Sequence, residues 1–258
     1  MTTNRFEKLF ISLDDTDNLE SLGTGHLAAA FARCIEKYGW GTTTFISRHQ
    51  LYVHDDIPYT SHNSAMCFTA ELNLAHHQAL VEAGADFLLK ESAPGSDPGF
   101  CVAPLSKIDG SHQLLRYSRR AKEEVLTKSE AYALAASLGI HLSEHGGTGQ
   151  GVVGALAAVG LRLGGNDGRI KGKHLEGMAG KCLTVDEICQ RSAVDAVWTM
   201  DYRPLKENEK VLLGEKVKSV LLQHQSVLLV VPGEDFDMTG ARIDTPWVTC
   251  PRHLLQKY

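Results

Sequence analysis

The chain contains no Cys-x-x-Cys pair, no excess of positive charge, and no apolar run long enough to span a bilayer. Each absence removes a class of protein. The six cysteines (Cys34, Cys67, Cys101, Cys182, Cys189 and Cys250) lie scattered, which excludes a zinc ribbon and predicts small buried thiols. A net charge of -5 over 258 residues excludes affinity for nucleic acid that rests on a global positive field. Residues 1–8 are polar, and no apolar segment with a small-residue cleavage site follows. A cytoplasmic location without membrane association is therefore expected. Gly23-Thr24-Gly25-His26 lacks the Lys-Ser/Thr ending of a P-loop, and there is no internal repeat or low-complexity tract.

The most informative stretch is Leu9 to Leu27. The apolar run Leu9-Phe10-Ile11-Ser12-Leu13 leads into three carboxylates, Asp14, Asp15 and Asp17. Gly23-Thr24-Gly25 follows, then a helical pattern. The spacing predicts a strand, an acidic loop and a helix N-terminus, with the acids at the carboxyl end of the strand, where open α/β sheets hold their ligands. Three acids so close repel one another unless a cation sits among them, and a free helix N-terminus favours an anion. Mg²⁺ beside phosphate is the chemical reading, with Asp14, Asp15 and Asp17 as metal ligands and catalytic candidates. An acidic surface turn is the plain alternative. Thr24 either touches phosphate or caps its helix.

Down the chain, residues 27–38 read as a helix closed by Gly39, 42–52 as a strand, 64–72 as a strand and 76–89 as a helix. Residues 92–99 read as a loop, which becomes a lid over a ligand if the site is catalytic. Phe100 to Ala103 is a short strand, 106–118 a mobile connection, and 119–138 a helical stretch broken near Ser129, which would cap its second half. Gly146 to Gly151 (GGTGQG) is a second glycine-rich loop without a recognisable strand before it. It feeds an Ala-rich helix over 152–161 and provides Gly149 and Gly151 as nucleotide-binding candidates. Gly23, Thr24, Gly25, Arg48 and Asn63 complete that set; Arg48 suits a phosphate bidentately but also suits an exposed strand end. The histidines at 49, 54, 62, 76 and 77 match no metal-ligand spacing. Further strands are expected over 193–200, 211–222 and 226–231, and a helix over 184–190 capped by Thr184.

Five blocks in order resemble one family, the archaeal agmatinylcytidine synthase (TiaS) that modifies isoleucine tRNA. They are Ile11-Ser12-Leu13-Asp14-Asp15-Thr16-Asp17 with its following turn, Asp56-Ile57-Pro58-Tyr59 with Asn63-Ser64-Ala65, Asp97-Pro98-Gly99, the run from Gly149 to Gly160, and Trp198 to Arg203. The resemblance implies a mixed α/β (α+β) protein, with a kinase-type domain over 1–125 and a ferredoxin-like domain over 126–258. It implies ATP and Mg²⁺ as cofactors, and a reaction in which phosphoryl transfer activates a carbonyl oxygen for displacement by an amine. By resemblance, Asp14, Asp15 and Asp17 bind Mg²⁺ and the ATP phosphates, and Thr24 falls where the family carries an autophosphorylated threonine.

The chain departs from that pattern. Gln150 and Thr60-Ser61-His62 replace basic residues of the family, and with no Cys-x-x-Cys pair in the chain the family's OB-fold and cysteine ribbon are expected to be missing. A small-molecule acceptor is therefore expected rather than nucleic acid, with the oligomeric state left open, a homodimer included. Two other readings compete: a haloacid-dehalogenase-like phosphatase using Asp15-Thr16-Asp17, and a non-catalytic nucleotide- or ligand-binding protein.

Overall fold

The computed structural model describes residues 5–57, 63–171, 175, 177–215, 217–233, 247–256 and 258. The chain is a mixed α/β protein of two compact units, residues 1–164 and 165–258. The division falls after Gly164, not near Leu126 as the sequence suggested, because the helices that follow residue 126 pack on the first unit's own sheet.

The first unit contains β1 (Phe6–Asp14), α1 (Thr24–Lys37), β2 (Gly41–Thr43), β3 (Ile46–Gln50), β4 (Ser64–Asn73), α2 (His77–Glu91), β5 (Gly99–Pro104), α3 (Leu105–Ile108), α4 (His112–Arg120), α5 (Lys128–Leu138), β6 (His141–Glu144) and α6 (Gly151–Gly164). Its strands run in the order β6-β5-β1-β4-β3, with β2 also on β4, and every pairing among them is antiparallel. No pair in this unit is parallel, so the comparison with open α/β sheets does not carry over to it. The acids do stand at the carboxyl end of β1, but no crossover rule put them there.

β1 shows how the layers form. Leu9, Ile11 and Leu13 alternate onto the face covered by α1 and α2, where they meet Phe31, Ile35, Leu80 and Leu88. Phe10 points the other way, into a core built from α4, α5 and α6. Each fully buried aliphatic side chain contributes about 2 kcal/mol, so the strand can carry Asp14, only 7% exposed, into the interior at its end.

α6 is almost wholly buried, and its small residues are the reason it fits. A Cβ on Gly160 would overlap the Ser118 hydroxyl, and one on Gly151 would overlap the Asp97 carbonyl. The helix can therefore lie against both the sheet and α4.

Several local expectations change. Residues 106–118 form α3 and α4 rather than a mobile connection, because Ser111 accepts from the Leu114 N–H and Leu114 and Tyr117 are buried. Thr127, not Ser129, caps α5 through a reciprocal pair with Glu130. The strand missing before the second glycine loop is β6, an edge strand of weak β-formers, His141-Leu142-Ser143-Glu144, paired to β5. The single strand expected over 42–52 is the pair β2 and β3.

The second unit contains β7 (Arg169–Lys171), β8 (Cys182–Thr184), α7 (Val185–Arg191), β9 (Ala196–Thr199), β10 (Lys210–Leu212), β11 (Val220–Leu222), β12 (Gln225–Pro232) and β13 (Trp247–Thr249). β12 is its central strand, antiparallel to β11 and β13 and parallel to β9. Thr184 caps α7 as expected. All six cysteines are free thiols; Cys67, Cys101 and Cys250 are buried, whereas Cys182 is exposed. Among the described residues no helix is long and apolar enough to cross a membrane.

Candidate functional site

A cavity of about 470 Å³ opens at the carboxyl end of β1. Asp14, Asp15, Asp17, Thr24, Asn63 and Gly151 line it, so six of the sequence-derived candidates meet there. Gly23, Gly25, Arg48 and Gly149 are not among its lining residues. Gly23 is the N-cap position of α1, and Gly25 is buried in its first turn. Arg48 spends its Nε on the Ser64 hydroxyl at 2.9 Å. Asn63 donates from Nδ2 to the Tyr52 carbonyl at 2.6 Å, so its side chain braces the wall it forms. Pro58, Tyr59 and His62 lie outside the described residues. His49 is buried, with its Nε2 on the Ser47 hydroxyl at 2.7 Å.

The acids occupy different surroundings. Asp14 lies against α6 where Gly154 leaves room: a Cβ at Gly154 would overlap its carboxylate. Burial pushes the Asp14 carboxyl well above the usual range; the Asp15 charge adds to this, and a hydrogen bond from the Asp15 N–H partly opposes it. Asp15 adopts a left-handed conformation, φ 49°, which Asp tolerates better than most residues. Burial first, then the charges of Asp97 and Asp17, push its carboxyl up to about 6.

Asp17 accepts a hydrogen bond from the Thr24 hydroxyl at 2.6 Å. Thr24 in turn accepts from the Thr16 N–H at 3.2 Å and the Thr16 hydroxyl at 3.1 Å. Thr24 is therefore not a helix cap; it is a buried hydroxyl aimed at a carboxylate.

Among the described residues no three His, Cys, Asp or Glu side chains are grouped to hold a metal ion. Asp17 is drawn toward Thr24, while Asp14 lies against α6.

Three residues that carry the geometry were not among the sequence's candidates. Asp97 is buried and accepts from both the N–H and the hydroxyl of Thr148, which ties the loop before β5 to the second glycine loop. The segment expected to act as a lid is thus an internal brace, with Ser96, Asp97, Pro98 and Gly99 all buried. Gly99 meets Gly151 backbone to backbone, so neither tolerates a side chain. Lys128, at the start of α5, lines the cavity and donates to the Thr148 carbonyl at 2.6 Å and to Glu144. The capping box at Thr127 was the available signal for Lys128; nothing local in the sequence marked Thr148. Leu51, Ile57, Val125, Leu126 and Val153 add apolar surface to the same lining.

No protein-family model matches the chain. An uncharacterized protein of Methanocaldococcus jannaschii is 28% identical over 162 residues, which is 62% of this chain and 51% of that protein. Among solved structures, TiaS in complex with tRNA and ATP aligns at TM-score 0.53 with 24% identity, over 60% of this chain and 36% of that one. TiaS with tRNA, AMPCPP and agmatine aligns at 0.51 with 24% identity, over the same shares. A tRNA fluorescent labeling enzyme aligns at 0.52 with 25% identity, over 59% and 36%. The chain thus spans about half the length of the curated relative and about a third of these solved chains. What the likeness establishes is the fold: a mixed α/β architecture similar to that of TiaS.

Proposed function

We propose that the first unit is an ATP- and Mg²⁺-dependent phosphoryl-transfer site that activates a carbonyl-type oxygen of its acceptor. The observation that carries this reading is the meeting of Asp14, Asp15, Asp17 and Thr24 with Gly151 around one cavity of about 470 Å³. Burial first and the neighbouring acid charges second raise both carboxyls, and a divalent cation held by the pair would offset both effects. Mg²⁺ typically takes one or two carboxylates and completes its shell with water and phosphate, so Asp14 and Asp15 suffice. Bound there, it would neutralise charge on the phosphate oxygens during transfer. The apolar part of the lining suits a nucleobase.

In this reading the terminal phosphoryl group leaves ATP as its P–O bond breaks, and a new P–O bond forms to the acceptor oxygen, releasing ADP. An amine can then displace the phosphate as a C–N bond forms, with inorganic phosphate as leaving group. The Thr24 hydroxyl, hydrogen-bonded to Asp17, is placed to lose its proton to that carboxylate and to carry the phosphoryl group itself.

The acceptor is where the comparisons shift the reading. The sequence favoured a small molecule, whereas the solved neighbours include TiaS bound to tRNA, which argues for a nucleic-acid acceptor. We adopt the nucleic acid as the acceptor to test first. The kinase-type and ferredoxin-like assignments of the two units belong to the same proposal.

Calorimetry with Mg²⁺ and ATP on the wild type and on Asp14→Ala tests the core of it. Binding that needs Mg²⁺ and disappears in Asp14→Ala is expected; absence of binding in the wild type sinks the reading. Release of ADP with tRNA, measured against release with small amides, then selects the acceptor class. Hydrolysis of a generic aryl phosphate with Mg²⁺ alone would instead favour the phosphatase.

A further inference from the structure

Among the described residues, five carboxylates line the cavity, those of Asp14, Asp15, Asp17, Asp56 and Glu124, against a single ammonium, that of Lys128. A polyphosphate entering such a wall is repelled by whichever of these carboxylates are ionised, and Lys128 is the one described lining cation that attracts it. Lys128 also sits where helix electrostatics disfavour it. It is the first residue of α5, and a cation at a helix N-terminus costs about 0.3–1 kcal/mol. A stability argument alone would place an acid there.

We propose that Lys128 is the polyphosphate-binding residue of this site, exchanging Glu144 and the Thr148 carbonyl for a phosphate oxygen when nucleotide enters. The inference rests on the nucleotide reading above and adds a residue and a loop response to it.

Three observations support the exchange. First, the Lys128–Glu144 pair is shallow, with side chains 28% and 43% exposed, and pairs of that kind contribute little. A phosphate chain carries more charge than one carboxylate and competes well for the ammonium. Second, the glycine loop is shaped around this pair. Gly149 has φ 75°, and a Cβ on it would overlap the Glu144 carboxylate and lie 2.6 Å from the Lys128 Nζ. Third, the residue that Lys128 would release is already coupled to the acids. Thr148 donates twice to Asp97, and the Asp97 N–H donates to the Asp15 carboxylate. Moving Lys128 off the Thr148 carbonyl therefore acts on the loop that leads to Asp15.

Calorimetry on the full chain with Mg²⁺ and, separately, ATP, AMP and adenosine tests this, using Lys128→Met, Lys128→Arg and Glu144→Gln. Lys128→Met should weaken ATP by about 10- to 100-fold, as loss of a charge-assisted hydrogen bond does, and leave adenosine unchanged. Lys128→Arg should recover part of the loss. Glu144→Gln should tighten ATP several-fold, because the competing carboxylate is gone. If Lys128 only clamps the loop, Glu144→Gln weakens ATP as Lys128→Met does, and adenosine falls in parallel; either result overturns the proposal. Equal ATP affinity in wild type and Lys128→Met overturns it while leaving the nucleotide reading standing. Absence of ATP binding in the wild type overturns both.

Discussion

The carboxylate of Asp14 occupies the space that a side chain on Gly154 would need. A strand end and the buried helix α6 are thus fitted to each other through one acid and one missing methyl group. Gly154→Ala should destabilise the protein by about 1–3 kcal/mol, as overpacking does, and displace Asp14 from the cavity. Urea melts measure the first effect and Mg²⁺-dependent ATP binding the second. Gly164→Ala in the same helix is the control, because a Cβ there meets only Leu115 Cδ2 at an ordinary 3.6 Å. Wild-type stability and binding in Gly154→Ala would show that Asp14 has room to spare.

Thr24 and Asp17 separate a chemical from a mechanical role. Thr24→Val removes the hydroxyl that bonds Asp17 and accepts from Thr16, at a cost of about 1–3 kcal/mol for partners left unpaired. If Thr24 carries the phosphoryl group, Thr24→Ser retains a phosphate detectable by mass spectrometry after incubation with ATP, whereas Thr24→Val does not and loses turnover. Full turnover in Thr24→Val reduces the hydroxyl to a brace.

Asp15 makes a pH prediction. Its carboxyl is raised from 3.8 to about 6 by burial and by the Asp97 and Asp17 charges, so folding favours the protonated form. The stability this contributes is complete below pH ~4 and is lost as pH rises through about 6. Without divalent cation, the melting temperature should therefore fall across that window, and Asp15→Asn should flatten the fall and melt a few degrees higher near neutral pH. Asn also tolerates the left-handed backbone. The same variant should bind Mg²⁺ and ATP more weakly. Identical pH profiles for variant and wild type would mean that Asp15 is solvated.

Thr148→Val tests the brace between the two loops. It removes the hydroxyl that donates to Asp97 and preserves shape. A loss of about 1–3 kcal/mol is expected, together with faster amide exchange over residues 146–150 and little change at α1. Unchanged exchange in the glycine loop would show that its conformation does not depend on Asp97.

Local chemistry was legible in the sequence wherever it was written in consecutive residues. The strand-to-acid transition at Leu13-Asp14, the stop at Gly139 with φ 64°, and the Thr184 cap all follow from neighbours within four positions. What escaped depended on partners far along the chain. Asp97 and Thr148 are 51 residues apart, and neither announces the other. β6 reads as polar because it is an edge strand whose identity comes from pairing with β5. Strand direction was equally hidden: the same apolar run enters a parallel or an antiparallel sheet, and only β4 and β5 decide it for β1. The small residues of α6 were visible, but the carboxylate and backbone atoms they make room for were not.

The position of α6 in chain order has a consequence for how the first unit is made. The helix lies between the sheet and α4, and it comes last among that unit's elements. Until residues 151–164 have left the ribosome, Phe10, Ala65, Cys67, Cys101 and Ala103 have no cover from it, so the sheet waits, partly bare, for its final helix. Contacts that span most of a unit also slow its folding. During synthesis this unit is therefore exposed to misassembly for nearly its whole length, and a fragment cut near residue 126 keeps the acidic loop but loses the helix that lets Asp14 sit inside.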